Sequence, residues 1–259
     1  MKLSLSGRLV ESGGKALLPA DRFIRLAKAA GYDAVDLRAT QLSPQTSEAD
    51  LDTFRTALDE TGLAVFEGQH RGGLEDGAAF VQLAELVARL GGQAVRVGGD
   101  LPALKRAAQL AAPAGVRVVY QMHTGGPFET VASAAAAVAE IDEPNFGVMP
   151  EPSNLLLAGQ PFAEEMFEPL AGRILGVHVQ TIEVHPEAEG SLKLADGTEV
   201  CYRRVPYAEN RQVDFATFFA ALRRVGFDGY VNELEPCPGP DTLEETVTQA
   251  ARFLRPLLG

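Results

Sequence analysis

The chain has 259 residues, 46% of them hydrophobic, so it can bury a large core and is not a disordered segment. Its formal net charge of −12 sets it against phosphate backbones and leaves solubility as the plain reading of the charge. Two cysteines exclude a disulfide framework and fit a reducing, cytoplasmic setting; the opening MKLSLSGRLVES lacks a signal-type apolar region, and no run approaches the about 18 apolar residues of a membrane span.

One unit recurs along the chain. An amphipathic stretch ends at Gly and a short apolar run follows, as in AKAAGYDAVDLR, LDETGLAVFEG, VARLGGQAVRVGG, AAPAGVRVVYQMH and LRRVGFDGYVNELE. Gly accepts the positive φ that stops a helix, and the apolar run reads as a buried parallel strand. Taken in order, strands are predicted at residues 3–6, 34–38, 63–67, 93–98, 116–121, 146–150, 174–180 and 229–235. Helices are predicted at residues 20–30, 48–61, 76–90, 101–111, 128–141, 162–171, 214–225 and 241–257. Eight alternating units give an α/β fold closed as a (β/α)₈ barrel, one domain over residues 1–259. Residues 181–211 break the rhythm: SLKLADGTEVCYRRV carries an Asp-Gly turn between alternating runs, a hairpin signal. An insertion there, after the seventh strand, is expected to lie over the barrel mouth, as a lid or as surface decoration.

The C-terminal ends of the strands of a parallel barrel open onto its mouth. There the sequence places Asp36 and Arg38, Glu67 and His70, Arg96, Gln121 and His123, Glu151 with Ser153 and Asn154, His178 and Gln180, and Glu233 with Glu235. Singly these have plain explanations: an arginine pairs with a carboxylate, a lone histidine is ordinarily a hydrogen-bonded core residue. Together they argue for a site, because an unpaired buried charge costs several kcal/mol. Carboxylates with an imidazole make a hard, mostly oxygen set suited to Mn²⁺, Mg²⁺, Co²⁺ or Zn²⁺. A metal there would polarise a hydroxyl and a neighbouring carbonyl, and a flanking glutamate would move a proton on carbon. Glu233 and Glu235 share strand parity and are both expected to face inward.

At these residues the chain resembles the xylose-isomerase-like sugar isomerase/epimerase superfamily, which includes ketose 3-epimerases, hydroxypyruvate isomerase, inosose dehydratase and endonuclease IV. The resemblance spans most of the chain in outline, through AKAAGYDAVDLR, VRVVYQMHTG, FGVMPEPSNLLLAG, GVHVQ and VDFATFFAALRRVGFDGYVNELEP. It implies a divalent metal held by Gln121, Glu151, His178 and Glu235. It departs from the family pattern at Gln121, where a glutamate is usual, at Glu151, where an aspartate is usual, and at Gln180-Thr181, where Lys-Asp often stands. An amide cannot act as a general base, so a two-glutamate proton exchange is in question, and His123, two residues on, is the substitute base. Proton transfer is thereby assigned to Glu233, Glu235 or His123. Substrate contacts are assigned to Arg38, Glu67, His70, Arg96, Asn154, Gln180 and Arg211.

The function expected from this is a divalent-metal-dependent isomerase or epimerase of a small sugar, polyol or keto-sugar. A dehydratase on the same scaffold and a sugar-binding barrel without catalysis are the alternatives. The partner is a small carbohydrate, with neither nucleic acid nor membrane involved, and a homo-oligomer is left open. Four histidines and the acidic charge stand against a nuclease with several metals.

Overall fold

A computed structural model describes residues 1–74, 77–234 and 242–259. Eight parallel strands form the central sheet: β1 (Lys2–Ser6), β2 (Ala34–Leu37), β3 (Ala64–Gln69), β4 (Ala94–Arg96), β5 (Arg117–Gln121), β6 (Phe146–Met149), β7 (Val177–Val179) and β8 (Tyr230–Glu233). Their order is β6-β5-β4-β3-β2-β1-β8-β7. The ring is completed just before β7, where Ile174 bridges Val148 in parallel and Leu175 N–H donates to the Val148 carbonyl at 3.0 Å. The (β/α)₈ barrel expected from the repeat is therefore the observed fold.

Among the described residues eight α-helices alternate with the strands: α1 (Ala20–Ala29), α2 (Glu48–Thr61), α3 (Gly77–Arg89), α4 (Leu101–Ala111), α5 (Val131–Ile141), α6 (Pro152–Leu157), α7 (Phe215–Arg224) and α8 (Leu243–Leu258). Gly31, Gly62, Gly91, Gly115 and Gly226, the glycines of the repeated unit, all take positive φ, as a helix stop requires. Ser47 and Thr130 open α2 and α5 with reciprocal capping boxes. No described helix is long and apolar enough to cross a membrane.

The expected helix at 162–171 is corrected. The helix of that unit is α6, with Pro152 in its first turn, followed by turns and a 3₁₀ segment at Glu168–Leu170. Pro169 explains the difference, since proline inside an α-helix removes a hydrogen bond and clashes with the preceding turn. The expected 174–180 strand is shortened to β7 plus the isolated Ile174 bridge. A small hairpin at Glu11–Ser12 and Lys15–Ala16 was not anticipated, although its Gly13-Gly14 pair is a turn signal.

The core has two layers. Ala34, Phe66, Ala94, Val119, Met149 and Tyr230 fill the barrel interior, while a larger cluster packs between strands and helices. Closure needs two close approaches. A Cβ on Gly147 would fall 2.4 Å from the Arg173 carbonyl oxygen, and one on Gly176 would fall 2.1 Å from Phe66 Cζ. Both positions therefore let the segment before β7 lie against β6 and the interior.

The insertion after β7 is a three-stranded antiparallel sheet. Residues Gly190–Lys193 pair with Glu199–Tyr202, in line with the hairpin signal, and Ile182–Val184 pairs with Tyr202–Arg204 on the other side of the same strand. Its tip is tied to the loop after β5, where the Glu129 carboxylate accepts from the N–H groups of Gly125 (2.6 Å) and Ala195 (2.8 Å).

Candidate functional site

Above the apolar interior, the C-terminal halves of the strands carry polar side chains inward. Three converge: Asp36 on β2, Glu67 on β3 and His178 on β7 offer ligand atoms that all lie within 4.8 Å of one another. All three are fully buried. Strand alternation alone would not put Glu67 there, because Phe66 already faces the interior. The register between β2 and β3 slips, pairing Val35 with Val65 but Asp36 with Glu67, and this irregularity turns Glu67 inward beside Phe66. His178 is set by β7 pairing with β8 and by its N–H donating to the Pro150 carbonyl at 3.0 Å.

The three side chains are short of hydrogen bonds. Among the described residues, both oxygens of Glu67, Oδ1 of Asp36 and both ring nitrogens of His178 are buried without a hydrogen-bond partner. The other Asp36 oxygen accepts from Ser6 Oγ (2.6 Å) and Asn232 Nδ2 (3.1 Å). Arg96 Nε lies 3.0 Å from Glu67 Oε1, and His178 Nε2 lies 3.4 Å from the same oxygen. Burial pushes Glu67 up to about 7, against the pull of Arg96 and Arg38. Burial raises Asp36 as well, reinforced by the Glu67 charge. His178 is pushed down to about 3, by burial first and Arg96 second, so its imidazole is neutral. Neutral imidazole and carboxylate oxygens are metal ligands, and buried atoms of that kind without partners are rare in a finished core. The donor set fits a divalent ion.

Beside this cluster Glu151, also fully buried, accepts from the side-chain amides of Gln121 and Gln180, one on each oxygen. Gln121 Oε1 in turn accepts from Arg96 Nη1 at 2.9 Å. Arg96 thus ties the Glu67 side of the barrel to the Glu151 side. Over these groups lies a cavity of about 220 Å³, lined among others by Arg8, Arg38, Arg96, His123, Gln180 and Arg204. A second space of about 210 Å³ shares Gln69, Arg96 and Gln121 with it and adds His70 and Tyr120. Leu192, Tyr202 and Arg204 of the insertion sheet form part of the first cavity's wall.

Over residues 24–257 the sequence matches the family described as xylose isomerase-like TIM barrel. The chain belongs to this family. Comparison with curated proteins by sequence gives no significant match. Among solved structures, D-psicose 3-epimerase with D-tagatose from Clostridium cellulolyticum H10 superposes with a TM-score of 0.75 at 14% identity, covering 100% of this chain and 99% of that one. A xylose isomerase domain protein from Alicyclobacillus acidocaldarius gives 0.76 at 18% identity, covering 100% and 98%. A xylose isomerase-like TIM barrel protein from Mycobacterium smegmatis in complex with magnesium gives 0.69 at 17%, covering 99% and 96%. At these identities the likeness is one of fold.

Within this xylose isomerase-like barrel, the residues expected from sequence fall into several groups. Arg38, Arg96, Gln121, His123, Asn154 and Gln180 all line the mouth cavity, although Asn154 Nδ2 is engaged with the Met122 carbonyl at 2.9 Å. His70 lines the neighbouring space, edge-on to Phe80. His178 is brought together with Glu67 and Asp36, while Gln121 and Glu151 are bonded to each other beside them. Arg211 is exposed, donates to the Asn210 carbonyl at 3.0 Å and is not among the cavity residues. On β8 the interior face is taken by Tyr230 and Asn232, so Glu233, though fully buried, is one residue out of step with it. The expected inward parity of Glu233 is corrected accordingly. Glu235 lies outside the described residues. Asn232, Ser6, Arg8 and Arg204 were not picked out from sequence. The first two are ordinary polar residues in apolar strands, and the arginines sit where no motif marks them.

Proposed function

We propose that the protein is a divalent-metal-dependent isomerase or epimerase of a small sugar, polyol or keto-sugar. The observation that carries this reading is the buried Asp36–Glu67–His178 cluster at the mouth end of the barrel, where each side chain has a ligand atom with no hydrogen-bond partner among the described residues. The similarity in fold to a D-psicose 3-epimerase and to a magnesium-bound relative supports it.

Asp36, Glu67 and His178 would hold the ion. When bound, it supplies Lewis acidity that polarises a substrate carbonyl and the adjacent hydroxyl. Ser6 and Asn232 fix one oxygen of Asp36 and leave the other available, the outer support such ligands require. Gln121 and Gln180 hold the Glu151 carboxylate in one orientation at the edge of the same site. Arg96 covers Glu67 on the cavity side and limits water at the cluster. His123, in the cavity wall, is the imidazole assigned to move the proton at carbon. The insertion sheet closes one side of the mouth over the substrate.

The amide at Gln121 favours a second reading, in which proton transfer has only one side-chain base and the substrate loses water instead of being epimerised. One experiment separates these. The manganese-loaded protein is incubated with a panel of ketoses and keto-polyols in D₂O and followed by NMR. Isomerisation incorporates deuterium beside the carbonyl and keeps the carbon and oxygen count. Dehydration yields a product short of one water. Ligand-dependent thermal stabilisation without turnover on any substrate would contradict both reactions.

A further inference from the structure

The mouth cavity carries four arginines, Arg8, Arg38, Arg96 and Arg204, and among the described residues no aspartate or glutamate lines it. That is a local excess of positive charge in a chain whose net charge is −12. Two of the four are committed: Arg38 lies 3.6 Å from Glu11, and Arg96 lies against Glu67 and Gln121. Arg8 and Arg204 make no ion pair among the described residues. They come from different elements, the loop directly after β1 and the last strand of the insertion sheet, yet face the same space. Arg8 is partly buried, and its guanidinium is held below its ordinary range by burial first and by Arg204 second, with Arg96 adding to this and Glu151 opposing it. Deeper in, Arg96 is 7% exposed and its Nη2 is buried with no hydrogen-bond partner among the described residues. Like charges gathered over a buried donor with no partner among the described residues are a cost to the free protein, and a bound anion removes that cost.

We propose that Arg8 and Arg204 form an anion subsite at the rim of the barrel mouth, so that the substrate is a sugar bearing a phosphate ester or a carboxylate. This rests on the reading of the barrel mouth as a sugar site. The planar guanidinium forks suit either oxyanion. The arrangement puts the charged end of the substrate at the rim and its polyol end over the buried cluster. It also draws anions towards one opening of an otherwise acidic surface.

The test is calorimetric titration of the full chain, stripped with EDTA and kept at low ionic strength, with inorganic phosphate and with malonate. Binding of either anion is expected, weakened about tenfold in Arg8→Gln and in Arg204→Gln. Arg203→Gln, whose parent side chain pairs with Glu183, is expected to bind as the unaltered protein does. Tighter phosphate binding assigns a phosphate ester and tighter malonate binding a carboxylate. If Arg8→Gln fails to fold by circular dichroism, Arg204→Gln, at an exposed strand end, decides alone. No binding of either anion, or equal binding by the Arg204 variant, would overturn the subsite. Because the metal is stripped, anion binding that persists in a protein with no metal site would leave the subsite standing while the isomerase reading falls.

Discussion

Burial sets the chemistry of Glu67 and His178, and it does so in opposite directions. The folded chain holds the Glu67 proton up to about pH 7, far above an ordinary glutamate. Its contribution to stability is therefore fully present below the unfolded value and lost as pH rises through 7. His178, neutral down to about 3, has the opposite sign: it favours the folded state above its unfolded value and costs stability as pH falls towards 3. The metal-free protein should accordingly lose the Glu67 contribution as pH rises from about 4.5 to about 7, with the raised Asp36 acting in the same direction and His178 in the opposite one. Glu67→Gln, neutral at every pH, should flatten that decline, and thermal melts of both proteins without metal check it. An unchanged slope in the variant would show that Glu67 ionises elsewhere. At this scale the sequence identified His178 and the presence of Glu67, Asp36 and Glu151 at strand ends. It did not separate cluster from neighbours, because which carboxylate meets the imidazole depends on cross-barrel distances that no local pattern encodes. The pairing of Glu151 with two amides was equally hidden, since Gln121 ends β5 and Gln180 follows β7.

Among the elements, regular units were legible and irregular ones were not. The helix-Gly-strand repeat located the strands because each unit buries an apolar run against its own helix, a local signal. The register slip opposite Val35 is different: it re-aims Glu67 inward without any sequence mark, and parity counted along β3 would send Glu67 towards the helices. Parity failed on β8 for the complementary reason, since Asn232, a polar residue, occupies the interior row and hydrogen-bonds Asp36. Closure of the ring depends on Gly176, where a side chain would enter the Phe66 ring. Gly176→Ala should destabilise the protein by about 1–3 kcal/mol through overpacking. Adding Phe66→Leu to that variant should recover part of the loss, since the two changes share one contact. Denaturant midpoints of the single and double variants test this, and strictly additive losses would contradict the contact. The insertion sheet offers a parallel case. Its hairpin was readable from the Asp-Gly turn, whereas its anchoring through Glu129 to the loop after β5 was not. Glu129→Ala should loosen the tip, seen as faster amide exchange at Gly125 and Ala195 than in the unaltered protein, with the barrel strands unaffected.

The whole molecule joins an acidic surface, an apolar barrel floor and a polar mouth whose charges are sorted by depth. Carboxylates and the imidazole lie at the bottom, arginines above them, and the insertion sheet at one side. That layering sets a buried carboxylate–imidazole cluster beneath a cationic opening, in a member of the xylose isomerase-like barrels. Size and composition made the barrel legible, since eight units in 259 residues leave little room for another architecture. The layering needed the structure, because it is a property of the assembled ring and not of any segment. Whether Asp36, Glu67 and His178 hold a divalent ion is tested by anomalous X-ray scattering from crystals grown with Mn²⁺, on the unaltered chain and on His178→Ala. One anomalous peak is expected among those three side chains, absent in the variant. No peak there, or a peak that persists without His178 ligation, would contradict it.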